Sequence, residues 1–432
     1  MYTQHNISGQ SAYSLLKDLF PIARSLTGDG VRKTLNRIKK IIPIDIKEVS
    51  SGYKAYDWIV PDEWNIKDAY VLDPDGVKII DFHCNNLHVL YYSTPFNGVV
   101  TLDELKDHAY TLSDKPSLIP FVASYYKKQW GICMSHDQLV SLKEGDYTVV
   151  IDSTLKPGFL TYGEIIIEGQ SKKEIFLSTY ICHPSLANDN LSGVVVTTAL
   201  SEYILSLKNR YYSYRIIFIP ETIGALVYMS KNLPIMKQNI IAGYTVTCVG
   251  DPGNFSYLMS KYENEYVDRV TLHVLNSIKS KYHTYNFLHR GSDERQYSSP
   301  GADLPIGSLM RSKYHVYPEY HTSADNLDYV TPEGLNGSIE LYQKCIDVYE
   351  INKYYKAVVI GEPKLSSRNL YPDTFQEKQL PDVNIIVDFL TYADGSNDLI
   401  DIAEKLRVPI WDLYDVVATL LKVQLIVECK RV

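Results

Sequence analysis

From Glu174 to Tyr349 the chain alternates short apolar, β-branched runs with longer segments of helical spacing, and few architectures accept that rhythm. Glu174–Ile181, Tyr214–Ile219, Ile241–Val249 and Leu304–Met310 read as strands. Leu191–Leu207, Gly224–Lys231, Val267–Ser280 and Pro332–Tyr349 read as helices. Strands alternating with helices predict an α/β fold: a mostly parallel mixed sheet with helices on both faces.

The flanking segments differ. Residues 9–42 read as two helices joined by a turn at Gly28–Gly30. Between 48 and 165 the texture is short alternating segments broken by Pro74-Asp75-Gly76, Glu144-Gly145-Asp146 and Lys156-Pro157-Gly158, which predicts a β-rich module with one short helix near 102–109. Because it interrupts helices that belong with the sheet, it reads as an insertion. The expected organisation is an α/β domain of 1–47 and 166–358, an inserted β-rich domain of 48–165, and a linker with a winged-helix-like domain over 359–432. In the last, Asn384–Tyr392, Asp398–Leu406 and Ile410–Leu421 are helix candidates and Gln424–Glu428 is strand-like. No internal repeat is visible.

Composition narrows the class of partner. A formal charge of −8 argues against a general affinity for nucleic acid or anionic membrane. Residues 384–432 carry eight acidic and five basic side chains, and Asp412 and Asp415 on the would-be recognition helix would face phosphates unfavourably. A protein partner or homo-oligomer contact through this unit is the better expectation. No apolar run approaches the ~20 residues that span a bilayer. The N-terminus lacks the pattern of a signal peptide, and the six cysteines show no CxxC pair. The expected compartment is the cytoplasm.

Chemistry concentrates in Ser178-Thr-Tyr-Ile-Cys-His-Pro-Ser-Leu-Ala-Asn-Asp-Asn-Leu-Ser-Gly193. His183 falls just past a strand's carboxyl end and Asp189 just before a helix, where ligands of open α/β sheets bind. An imidazole and a carboxylate suit zinc, although alone they are equally a surface histidine and a helix cap. The next strand delivers Glu221 at its end, placed to take a proton from water. Asp251 follows the third strand, and Pro318-Glu-Tyr-His-Thr-Ser-Ala-Asp-Asn-Leu-Asp328 comes later. Polar residues at several consecutive strand ends are harder to dismiss than any one of them.

These residues resemble the bimetallic zinc aminopeptidases and their glutamate-carboxypeptidase-like relatives. The resemblance rests on His183 through Gly193, Glu221, Asp293 in Gly-Ser-Asp, and His321-Thr-Ser-Ala-Asp-Asn-Leu-Asp, and spans roughly 166–355 plus the N-terminal helices. The whole layout resembles bacterial proteins with an aminopeptidase-like domain that are often labelled polysaccharide biosynthesis proteins. The resemblance implies that His183, Asp189 and His321 ligate zinc and that Glu221 is the general base. It also carries departures. The family's second glutamate is Thr222 here, its orienting carboxylate is Ser185, and the third-strand aspartate falls near Thr247 or Cys248 with Asp251 displaced. These favour one zinc ion over two, with Asp251 a ligand or a carboxylate that supports one.

The expected function is a metal-dependent hydrolase of amide bonds, aminopeptidase-like, acting on a small peptide or amino-acyl substrate. The alternative is a degenerate peptidase-fold binding or scaffold protein, linked to polysaccharide biosynthesis. Arg24-Ser-Leu-Thr-Gly-Asp-Gly-Val-Arg32 has glycines and arginines that could meet a substrate anion but reads better as a helix–helix turn, and His83, His88 and His136 read as structural. Asp293, Glu294 and Arg295 read equally as pocket lining or as a solvated cluster.

Overall fold

The computed structural model describes residues 8–278, 280–370 and 383–431. They fall within two compact units, Met1–Val267 with Lys281–Glu340, and Asp268–Ser280 with Leu341–Val432. The expected linker lies outside the described residues from 371 to 382.

The first unit is built on a sheet of eight strands: β1 (Asp45–Ser50), β2 (Phe159–Ile167), β3 (Glu174–Tyr180), β4 (Ser213–Ile219), β5 (Ile240–Thr245), β6 (Phe255–Leu258), β7 (Tyr282–Tyr285) and β8 (Ile306–Met310). They are ordered β1-β2-β4-β3-β5-β8-β6-β7. The central four are parallel, and antiparallel pairings flank them on both sides. Every residue of β3 and β4 is buried, as isoleucine-rich strands covered on both faces must be. The mostly parallel α/β sheet expected from the sequence is present. β6 and β7, four residues each, were too short to be legible.

β3 connects to β4 on one side of it, and the chain then crosses to β5 on the other. That reversal opens a crevice outside the strand ends. The helix Gly193–Ser206 that follows β3 is buried from Gly193 through Ser201. Gly193 is required: a Cβ there would lie 2.3 Å from both the Val246 carbonyl oxygen and Asn190 Oδ1. The helix after β4 runs Ile223–Asn239, a longer span than the Gly224–Lys231 expected. Pro234 lies inside it, and Met236 and Asn239 beyond the proline are buried, so packing retains the last turns despite a lost hydrogen bond.

Within 48–165, Lys78–Asp81, Glu63–Leu72, Asp146–Lys156 and Phe96–Thr101 form a separate antiparallel sheet in that order. Burial alternates along much of Asp146–Lys156, the pattern of a sheet with one wet face. Its inner residues Trp64, Val149 and Ile151 share one hydrophobic core with Phe176 and Ile217 of the large sheet.

In the second unit, Asp394–Asp398, Tyr354–Ala357 and Ile426–Cys429 form a small antiparallel sheet in that order. Around it lie the helices Val383–Tyr392, Leu399–Leu406 and Tyr414–Lys422. Asp398 starts the second of these with a capping box shared with Asp401. The strand Tyr354–Ala357 precedes the 359–432 stretch yet pairs with both of the others.

Candidate metal centre

His183 leaves the end of β3, Asp189 the turn that opens the following helix, and His321 a distant loop. The structure brings these three together, one ligand atom from each lying within 4.8 Å of the others. His183 and Asp189 are buried; the His321 side chain is about one-third exposed, 34%. His321 Nε2 is 2.9 Å from Asp189 Oδ2, and Tyr180 donates its hydroxyl to Asp189 Oδ1. Burial pushes the His183 imidazole down to about 4, against the pull of Asp189. It therefore stays neutral near pH 7, the form that binds a metal. Burial alone would raise the Asp189 carboxyl, but His183, His321 and Tyr180 outweigh it and hold the group at about 2.

Glu221 follows β4, with Oε2 3.8 Å from His183 Nε2. Burial, then the charges of Asp293 and Asp189, push its carboxyl well above the usual range. Its backbone N–H donates to Cys182 Sγ at 3.3 Å. Asp293 is fully buried and accepts the Thr222 N–H at 2.7 Å on Oδ1, while Oδ2 has no partner among the described residues. Burial raises its carboxyl to about 7.

Asp251 does not join the three-residue cluster. It accepts Asn188 Nδ2 at 3.0 Å, Ser312 N–H at 3.0 Å, Ser312 Oγ at 2.7 Å and Gly253 N–H at 2.8 Å. With four donors on two oxygens, it anchors the loop that carries Asn188 next to Asp189. Ser185 also turns away, donating to the Phe20 carbonyl at 2.9 Å and accepting from Asn86 at 2.8 Å. The nearest side-chain partner of His183 Nδ1 is Cys182 Sγ, at 3.7 Å. Among the described residues no carboxylate holds that nitrogen.

Several supporting residues were not legible as such. Asp325, inside the His321 motif, is fully buried and accepts the N–H groups of Asn188 at 2.6 Å and Asp189 at 3.0 Å, and the Tyr317 hydroxyl at 3.1 Å. It ties the two ligand-bearing loops together, and burial raises its carboxyl to about 7. Arg24 does more than occupy a helix–helix turn: buried, it donates Nε to the His183 carbonyl at 3.0 Å. Phe121, from the β-rich segment, packs its ring 5.3 Å from His183 and 5.2 Å from His321. Its N–H donates to the His321 carbonyl at 2.9 Å. His83, His88 and His136 instead engage Asp68, the Cys133 carbonyl and Thr111.

The backbone is strained where these loops turn. Ser185, Thr222, Cys248 and His321 all have positive φ, from 33° to 61°, a region disfavoured for residues with a Cβ. Beside Glu221 opens a cleft of about 370 Å³. Cys182, Glu221, Thr222, Trp58, Tyr125 and Tyr126 are among the residues that line it.

The donor set fits zinc: two imidazoles and one carboxylate converge, and a catalytic zinc takes three such protein ligands and keeps one position open. No helix among the described residues is long and apolar enough to cross a membrane.

Comparison with known proteins agrees with this architecture. Residues 13–352 match the family described as a domain of unknown function, DUF4910, and residues 353–428 match a winged helix-turn-helix. A Clostridium acetobutylicum protein named as a polysaccharide biosynthesis protein with an aminopeptidase-like domain is 45% identical over 400 residues, 92% of each chain. A crystal structure from Clostridium acetobutylicum, named as that of a peptidase, superposes with a TM-score of 0.92 at 44% identity, covering 98% of this chain and 96% of the other. The zinc aminopeptidase of Bacillus subtilis shares the fold at a TM-score of 0.56 and 13% identity, over 79% of this chain and 95% of its own. The chain belongs to the DUF4910 family, its aminopeptidase-like α/β fold followed by a winged helix-turn-helix.

Proposed function

We propose that the protein is a metal-dependent hydrolase of amide bonds, aminopeptidase-like, acting on a small peptide or amino-acyl conjugate. The observation that carries this reading is the convergence of His183, Asp189 and His321 with Glu221 alongside, which itself lines a cleft. In this reading the three residues hold one zinc ion, and Asp251 supports them through Asn188. Zinc there would supply Lewis acidity, polarising an amide carbonyl and acidifying water.

Glu221 takes the proton from the attacking water as its oxygen bonds to the carbonyl carbon. It returns that proton to the leaving nitrogen as the C–N bond breaks. Its raised proton affinity is the direction a base working near neutral pH requires. Phe121 keeps water from one side of the two histidine rings. Asp325 and Arg24 hold the loops so that Asp189 and His183 face each other.

A second reading has its own support: a peptidase-fold binding or scaffold protein without turnover. Thr222 and Ser185 stand where the resembled family has carboxylates, and His183 Nδ1 lacks a carboxylate partner. The name of the Clostridium relative brings polysaccharide biosynthesis into either reading. Six free cysteines favour a reducing cytoplasm, and the acidic winged-helix unit favours a protein or second copy as its partner rather than nucleic acid.

The test is Glu221→Gln assayed on aminoacyl amides with zinc content measured in parallel. Hydrolysis should fall by about 10²–10⁴-fold with zinc retained. No hydrolysis by the zinc-loaded parent across the panel would favour the scaffold reading.

A further inference from the structure

The cleft beside Glu221 holds one feature that proton transfer does not use. Arg295 lines it, exposed, and forms no ion pair among the described residues. Its one hydrogen bond to a side chain is to a neutral partner, Thr222 Oγ1, at 2.9 Å from Nη2. Glu221 and Asp293 feel its charge, but neither pairs with it. A guanidinium presents five N–H donors in a planar fork, so most of this one remains available to whatever enters. The same cleft is lined by the exposed rings of Trp58 and Tyr126, 5.7 Å apart and edge-on. Arg295 and Gln296 also line a second, more open cavity that contains Arg290. That cavity is lined by Lys261, Arg290 and Arg295 with Glu263 the one acidic side chain, so cationic groups outnumber anionic ones there.

We propose that Arg295 anchors a carboxylate of the substrate, so that the cleft takes an acyl group with an apolar ring joined through the scissile amide to a small amino acid with a free carboxylate. This specificity rests on the hydrolase reading above and narrows its substrate class. The acyl ring lies against Trp58 and Tyr126, the amide faces Glu221, and the carboxylate of the leaving amino acid meets Arg295 as a charge-assisted, two-pronged pair. A monoanion suits the site better than a dianionic phosphate, because Glu221 and Asp293 stand close by. The chain's formal charge of −8 repels anions in general, so a preference for an anionic ligand has to come from a local cation.

Binding, rather than turnover, tests the anchor. The probes are 4-oxo-5-phenylpentanoate, in which a ketone methylene replaces the scissile amide, and its neutral N-methylamide. Calorimetric titration of the full chain should find the acid bound about ten-fold more tightly than the amide, the scale of one charge-assisted contact. Arg295→Gln should bring the two within about two-fold of each other, and Arg295→Lys should keep part of the preference. A parent that binds both equally or neither, or a preference that survives in Arg295→Gln, would overturn the assignment. The two readings fail separately. Tight acid binding without hydrolysis of the matching amide removes the hydrolase but leaves the anchor. Hydrolysis of neutral amides that ignores Arg295 does the reverse.

Discussion

Two places in this chain gather buried histidine and carboxylate side chains, and they differ in what those side chains face. In the second unit, Asp398 accepts the Asp401 N–H as a helix cap and pairs with Arg269 at 3.0 Å. His273 Nε2 accepts the Ile410 N–H at 3.1 Å, and Nδ1 lies 3.6 Å from Glu404. Each group has an ordinary protein partner of opposite character. At the strand ends of the first unit, His183, Asp189 and His321 instead point at one another. The nearby guanidinium of Arg24 donates to backbone carbonyls rather than to a carboxylate. The same residue types make structure where each pairs with an arginine or a backbone group, and a candidate site where two imidazoles and a carboxylate converge on one another.

Breaking the support beneath the convergent cluster should have the largest effect. Asp325→Ala leaves three buried donors unmet, which should cost about 3 kcal/mol in denaturant unfolding and empty the zinc site. Unchanged zinc content in a folded Asp325→Ala protein would mean that the loops hold themselves. Asp251→Asn should cost less, about 2 kcal/mol, since one of its two acceptor oxygens becomes a donor facing donors. It should keep its zinc; loss of metal without loss of stability would make Asp251 a ligand.

The smallest effect belongs to the other cluster. Burial lowers the His273 pKa from its ordinary value. The unfolded chain then binds more protons below pH ~6.5, so the contribution of His273 is present above that pH and is lost as pH falls through the folded pKa. Unfolding midpoints between pH 7 and 5 should fall more steeply for the parent than for His273→Gln, whose longer amide reaches the Nε2 position and can still accept the Ile410 N–H. Parallel slopes would contradict the role assigned to His273.

What could be read from the sequence follows from the range of the interactions involved. His183, Asp189 and Glu221 sit at strand ends within one regular pattern, and His321 lies in a compact motif, so local spacing exposed all four. Asp325 was visible only as a letter in that motif, because its partners Asn188 and Asp189 are more than a hundred residues away. Phe121 carried no signal beyond its apolarity, since its meaning depends on the pairing of its loop with the loop of His321. The helix after β4 outran its expected end at Lys231 because Met236 and Asn239, beyond Pro234, are buried by tertiary packing. Long, periodic elements were legible; the four-residue strands β6 and β7 and the contacts between distant loops were not.

The central claim is one metal ion held by His183, Asp189 and His321. Its most direct test is the zinc content of freshly purified protein, measured beside a His183→Ala/His321→Ala double variant. The account predicts about one equivalent per chain, lost in the variant, as a three-ligand catalytic site requires. About two equivalents in the parent, or none even after zinc is added back, would contradict it.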